Sequence, residues 1–409
     1  MINPKIIDYI FSSASIQRWN DYPRMVELVE LDKQAHKFII AYFIAKFEKD
    51  INYTHLIEAG VFEFLRRVVV TDIRPDVFRN ALQKRAKEIN SWVIANLKDS
   101  LQNIDNGIFL QKFEDYLNNP NMYKKERFIL KAASYLSTKW EFSIVYQTSQ
   151  FLSDIEDVKK SVEEEIEDYY ELIGVRKIAL NKKLAKIVDL SGRLRFQKRW
   201  AQTPRVPETS VLGHMLTVAI FSYFYSLEVN ACDKRLENNF FVSLFHDLPE
   251  ALTRDIITPV KYSVDDLSDI IAEYEIKKIN DEILPNIPDS IHDEFCYILG
   301  MFEEHKDEFE NRIYEDGKSK LVDDVSKYNM DKYNAIDGVA LKQCDKLSAF
   351  VEASLSISHG IKSKELVNGK KQIMKSFKKV QGVDFETIAK KIDEEFCTTG
   401  QTQVRMDFD

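Results

Sequence analysis

The stretch LFHDLPEALTRDIITPVKY, residues 244–262, sets His246 and Asp247 side by side at the end of an apolar run. Glu250 and Asp255 follow within a few residues. An adjacent imidazole and carboxylate can share one cation only if other parts of the chain complete the shell. Two distant positions offer to do so: His214 in SVLGHMLTVAIF and Asp345 in GVALKQCDKLSAFVEASLSI. Together they would supply two imidazole nitrogens and two carboxylates from separate helices. That mixed set suits Mn²⁺, Co²⁺, Fe²⁺, Zn²⁺ or Ni²⁺ better than a thiolate-preferring metal. Coordination positions left open for water and substrate would make the site catalytic. Taken singly, a buried histidine is more often a hydrogen-bonded core residue. A carboxylate among apolar neighbours, as at Asp345, is costly without a partner, and this tips the balance toward a site.

The elements that must position these groups are helical. Phe240, Phe241, Leu244 and Phe245 recur at helical spacing, so His246 and Asp247 should project from the end of a buried helix. If that helix continues, Glu250 shares the face of His246. Only 12 Gly and 10 Pro punctuate 409 residues, and 44% hydrophobic with 30% charged residues describes a globular chain. The expected class is all-α. The length exceeds one ordinary core, and two domains, 1–180 and 181–409, are expected. The charged segment 154–189 reads as an exposed helix at their junction.

A net charge of −9 without a dense Lys/Arg stripe argues against an extended nucleic-acid face, while leaving small anions open. The N-terminus lacks the features of a signal peptide, and no run of about 18 uninterrupted apolar residues suggests a membrane span. Cys232, Cys296, Cys344 and Cys397 form no CxxC pair, as expected of thiols in a reducing cytoplasm. Neither composition nor pattern sets the oligomeric state, and a homo-oligomer is compatible with both.

The two halves resemble each other. IQRWNDYPR (16–24) parallels FQKRWAQTPR (196–205), QAHKFIIAYFIAKFE parallels LGHMLTVAIFSYFYSLE with His36 opposite His214, and KAASYLS parallels KQCDKLS. Three matches in one order argue for tandem duplication. The first copy has Arg66 and Arg67 near the place of His246 and Asp247, and Ser134 in place of Asp345, so it is expected to lack the site.

The order Arg199-Trp200, His214, His246-Asp247, Glu250, Asp255, Thr258-Pro259-Val260-Lys261 and Asp345 resembles the HD-domain phosphohydrolases, in particular the bacterial 5'-deoxynucleotidase branch. The likeness is strongest over residues 190–360 and degraded over 15–150. It implies tandem HD-like helical bundles, with one divalent ion held by His214, His246, Asp247 and Asp345. It further implies removal of the 5'-phosphate from (deoxy)nucleoside monophosphates. Glu250 is then the first choice for general acid or base, and Asp255 the second. Arg199 would take the phosphate, with Lys261 as an added cation and Thr258 beside it. By the same resemblance, Trp200 would pack on the sugar and disfavour a 2'-hydroxyl; its other reading is a core anchor. Two further readings stay open: another nucleotide as substrate (a triphosphate, an alarmone or a cyclic nucleotide), or a non-catalytic nucleotide sensor or scaffold. The insertion between Gly300 and Ile336 has no counterpart in the family and could cover the pocket. His292 and His305 are the nearest candidates for a second metal, but polar surroundings favour one ion.

Overall fold

The computed structural model describes residues 3–402 apart from 255, 257–263, 265, 303, 304 and 316. Helices dominate: α1 Pro4–Ser12, α2 Glu30–Ala45, α3 Tyr53–Val70, α4 Pro75–Leu101, α5 Ile108–Asn118 and α6 Lys124–Ser149. There follow α7 Ile155–Glu164, α8 Ile173–Ala179, α9 Lys183–Arg193, α10 Val211–Glu228, α11 Asp233–Phe245 and α12 Glu250–Thr253. The rest are α13 Leu267–Lys278, α14 His292–Ile298, α15 Gly338–Ser358, α16 Lys364–Ser376 and α17 Phe385–Thr402. Two small antiparallel sheets complete the described residues. In one, β1 (Asn311–Glu315) lies between β2 (Lys318–Leu321) and β3 (Ile336–Asp337); the other pairs β4 (Lys379–Val380) with β5 (Val383–Asp384). The all-α class holds.

The centre is a pair of buried helices, one from each half, α2 and α10, packed on each other. Ser210 caps α10 by accepting from the Gly213 amide at 2.9 Å, and its hydroxyl donates to Asp32 on α2 at 2.6 Å. Aromatic packing of Phe38 on Phe240, and of Tyr42 on Phe241 and Phe245, extends the contact. One continuous apolar cluster therefore runs from Ile6 to Phe396. α10 is long and apolar enough to cross a membrane, and its burial in this cluster accounts for that apolarity.

The charged segment 154–189 departs from the single exposed helix expected of it. It breaks into α7, a 3₁₀ turn, α8 and α9, and Val175, Ile187 and Val188 are buried. Its apolar positions are too regularly spaced to stay in water, and α9 packs on α2.

α2 carries charges into the core, and each finds a partner. Glu30 accepts from Arg18 at 3.0 Å and Arg67 at 3.2 Å, and Lys37 pairs with Glu63 at 2.5 Å. Burial opposes ionisation of Glu30, but Arg18, Lys33 and Arg67 outweigh it and hold the carboxyl at about 2, below its ordinary 4.5. A depressed carboxyl stabilises the fold above its unfolded pKa, and that contribution fades as pH falls through the folded one. Thermal melting should therefore lose stability between pH 4.5 and about 2. Glu30→Gln, which strands buried guanidinium groups, should be less stable at pH 7 by about 3 kcal/mol. Its stability should also fall less steeply than wild type over the acid range; equal acid slopes would exclude Glu30 as the cause.

Candidate metal centre

Three described elements bring the expected ligands together. His214 lies in the first turn of α10 and is fully buried. His246 forms the C-terminal cap of α11, with Asp247 just beyond, and Asp345 lies midway along α15. Donor atoms of His214, His246 and Asp247 all lie within 4.8 Å of one another. Asp345 joins them through Oδ1, 3.0 Å from His214 Nε2, while Asp247 Oδ2 is 3.8 Å from the same nitrogen. The relative placement of α11 and α15 is pinned by Arg235, whose guanidinium meets buried Asp337 at 2.6 and 2.7 Å.

The chemistry of these atoms fits a cation. His246 Nδ1 lies 2.7 Å from the Ser243 carbonyl, so that nitrogen carries the proton and donates. The other ring nitrogen, Nε2, is buried and sits 3.1 Å from Asp247 Oδ2. Atoms at that distance need positive charge between them, which a proton on Nε2 or a bound metal ion can supply. Burial pulls the His246 imidazole down, but Asp247 and, more weakly, Asp345 push it up to about 9. The Asp247 carboxyl is held well below its usual range: burial opposes this, and His246, His214 and Arg199 overcome it. The same opposition, won chiefly by His214, lowers Asp345.

Behind His214 the structure adds residues that sequence reasoning missed. His214 Nδ1 is 3.0 Å from Ser348 Oγ and 3.8 Å from Glu352 Oε1. Glu352 is itself buried, and accepts from Thr209 Oγ1 at 2.6 Å and from Trp200 Nε1 at 2.9 Å. A glutamate inside the apolar run SAFVEASLS, seven residues after Asp345, was the available signal, because residues so spaced share a helical face.

The expected substrate groups divide. Arg199 approaches the site, with Nη1 3.9 Å from Asp247 Oδ2. Trp200 has a visible anchoring role: its indole N–H is fixed by Glu352, and a Cβ at Gly369 would strike its ring. Glu250 is not on the helix of His246, because α11 stops at Phe245; Glu250 begins the short α12, its amide donating to the Asp247 carbonyl at 3.0 Å. Pro249 has no amide proton for the α11 ladder, which a continuing helix would require. Asp255, Thr258 and Lys261 lie outside the described residues.

The insertion contributes a wall. Phe309 lies against His246, ring centroids 5.8 Å apart, and the ammonium of Lys342 on α15 sits 5.7 Å from its centroid. Buried Arg312 holds this segment by donating to the carbonyls of Tyr297, Ile298, Glu308 and Glu310. Gly338 is needed where it crosses α15, since a Cβ there would lie 2.3 Å from Glu310. His305 pairs with Glu310, and His292 is partly exposed beside Asp293 and Cys296.

The N-terminal half has a bridge and buried helix comparable to those that precede and carry His214. Bridges Gln17–Val29 and Lys198–Ser210 are equivalent, so Lys33, four residues past its bridge, occupies the place of His214. His36, aligned with His214 on apolar pattern, lies three residues further on. Its Nε2 is 2.9 Å from the Val188 carbonyl and its Nδ1 3.2 Å from Arg195, which leaves no lone pair for a ligand. Lys33 donates to Ser134 Oγ at 2.6 Å, and Trp19 donates to Glu141 at 3.2 Å, as Trp200 does to Glu352.

Comparison with known proteins agrees with this geometry. Residues 191–374 match the HD domain family, and this part of the chain resembles the 5'-deoxynucleotidase branch. The 5'-deoxynucleotidase YfbR of Salmonella typhi is 31% identical over 113 residues, 26% of this chain and 55% of that protein. A 5'-deoxynucleotidase of Vibrio atlanticus is 30% identical over 115 residues, 26% of this chain and 57% of that protein. One from Enterobacter sp. is 29% identical over 127 residues, covering 30% and 61%. The chain thus spans little more than half the length of these curated relatives.

If the cluster holds a divalent cation, Mn²⁺ or Zn²⁺ at one hundred times its Kd should stabilise the protein by about 2.7 kcal/mol. Scanning calorimetry with and without metal should show this in wild type and lose it in Asp345→Ala. An undiminished shift in that variant would remove Asp345 from the ligand set.

Proposed function

We propose that the protein is a metal-dependent phosphohydrolase that removes the 5'-phosphate from (deoxy)nucleoside monophosphates. The carrying observation is the convergence of His214, His246 and Asp247 within 4.8 Å, with Asp345 against His214, inside a segment that matches the HD domain. On this reading His214, His246, Asp247 and Asp345 hold one divalent ion, Mn²⁺, Co²⁺, Fe²⁺, Zn²⁺ or Ni²⁺. When bound, such an ion supplies Lewis acidity toward a phosphoryl oxygen and lowers the pKa of water.

The chain's own groups do the rest. Arg199 faces the cluster from the loop preceding α10, where its guanidinium can orient a phosphate without competing for the metal. Water attacks phosphorus, the bond to the sugar 5'-oxygen breaks, and the departing oxygen needs a proton. Glu250, three residues beyond Asp247 in the chain, is proposed to handle that proton, with Asp255 assisting at the leaving group. Thr258 and Lys261 are proposed to contact the phosphate, and Trp200 to border the sugar. A soluble cytoplasmic location suits a nucleotide substrate. The relatives' printed activity supports this substrate class, and their partial coverage leaves the base and sugar to experiment.

We also propose that residues 1–180 are a degenerate copy of 181–409. The paired bridges, the left-handed backbone at Trp19 and Trp200 (φ 58° and 56°) and the matched indole–carboxylate bonds support duplication.

The test is a panel of nucleoside mono-, di- and triphosphates with several divalent metals, monitored for orthophosphate and pyrophosphate. Orthophosphate release from deoxynucleoside monophosphates, abolished in His246→Ala and Asp247→Ala, is the expected result. Release of triphosphate or pyrophosphate would move the substrate to another nucleotide, and binding without turnover would make the protein a sensor. Phe309→Ala should raise KM by about tenfold through loss of one apolar wall. Its metal stoichiometry should stay at one per chain, and unchanged kinetics would place Phe309 outside the substrate path.

A further inference from the structure

Glu352 touches more of the site than any single-ligand role requires. It lies two helical turns after Asp345 on α15, on the order of 10 Å along the axis. Its Oε1 accepts from Thr209 and sits 3.8 Å from His214 Nδ1, while Oε2 accepts from Trp200 and lies 3.9 Å from Arg205. Arg205 in turn donates to the Arg199 carbonyl at 3.3 Å. One buried carboxylate thus gathers α15, the start of α10 and the loop that carries Arg199 and Trp200.

We propose that Glu352 is a positioning residue that couples the metal centre to the substrate loop. With Ser348 it draws the Nδ1 side of His214 toward itself, which turns the Nε2 lone pair toward Asp345 and Asp247. The same carboxylate fixes the indole of Trp200 and, through Arg205, the backbone of Arg199. Partners behind a ligating imidazole commonly set its tautomer and raise its basicity. The inference rests on the metal-dependent reading of this cluster.

The N-terminal half provides an internal comparison. There Glu141 holds the equivalent indole, but two arginines meet it directly, Arg18 at 2.8 Å and Arg195 at 3.0 Å, and a lysine replaces the imidazole. Glu141 is therefore neutralised within its own network. Glu352 has Arg205 only at 3.9 Å, so its charge is balanced in part across the imidazole of His214 by whatever cation lies beyond. Arg199 adds a further, weaker influence, and a buried carboxylate whose guanidinium groups stand off in this way is costly unless more positive charge is near.

The experiment measures metal affinity of metal-stripped full-length protein by equilibrium dialysis with Mn²⁺ and Zn²⁺, together with tryptophan emission during the titration. Glu352→Gln keeps the shape and removes the charge. It should weaken metal binding by about 10- to 100-fold and blunt the metal-induced emission change. Thr209→Val removes a donor to Glu352 and an acceptor of Arg205 but keeps the Glu352 charge and leaves His214 untouched; it should leave affinity within about threefold, which separates loss of the charge from loss of its neutral hydrogen bond. Wild-type affinity in Glu352→Gln, equal weakening in Thr209→Val, or no metal binding by wild type would overturn the proposal. Wild type that binds metal but turns over no nucleotide would defeat the hydrolase reading while leaving this one standing.

Discussion

Two imidazoles and two carboxylates meeting inside a helical core create a demand for positive charge, and much of the surrounding structure follows from it. His246 commits its Nδ1 proton to the Ser243 carbonyl and turns Nε2 to Asp247, and His214 faces both carboxylates through Nε2. Such an arrangement is costly in a low-dielectric interior unless positive charge, a proton or a bound cation, offsets the carboxylates. The upward push on His246 and the downward push on both aspartates are the electrostatic expression of that demand.

Holding four such atoms together requires rigid supports from distant parts of the chain. α10 is buried almost throughout, so His214 has little freedom of depth or rotation. α11 ends where His246 begins, and the Arg235–Asp337 pair locks its start to the entry of α15. Asp345 is thereby referred to His246 through a fixed ion pair, independent of the loops between. The insertion adds its wall by the same logic, with one buried arginine collecting carbonyls so that Phe309 stands against His246.

The ligand cluster was legible in the sequence because its residues violate their surroundings: histidine, aspartate and a His-Asp pair in apolar helical runs. The all-helical class was legible for a simpler reason, the scarcity of Gly and Pro. What escaped was set by tertiary packing. The run after Asp247 looked like more helix, yet Pro249 stands in its first turn and α11 ends. His36 looked equivalent to His214 because apolar pattern tolerates a shift of one turn, whereas the backbone bridges do not. Glu352 carried the same signature as Asp345, a carboxylate in an apolar stripe, but its partners come from a loop more than a hundred residues earlier.

The proposed duplication places two solutions of one electrostatic problem in the same chain. In the C-terminal half, carboxylates and imidazoles converge and an exchangeable cation could satisfy them. In the N-terminal half the positions of His214 and Asp345 are taken by Lys33 and Ser134, and Arg67 pairs with Glu30, so the cations are covalent parts of the protein. A built-in ammonium cannot leave, offers no open coordination position and makes no demand for metal. Burial pulls Lys33 down to about 7, a sign that this substitute is held by its neighbours at some cost. What that half retains is the frame, a buried helix against which α10 packs through Asp32 and Ser210. The geometry of His214 then depends on a partner helix from a half that lacks the ligands, so the two halves are coupled through packing whatever the chemistry of the first.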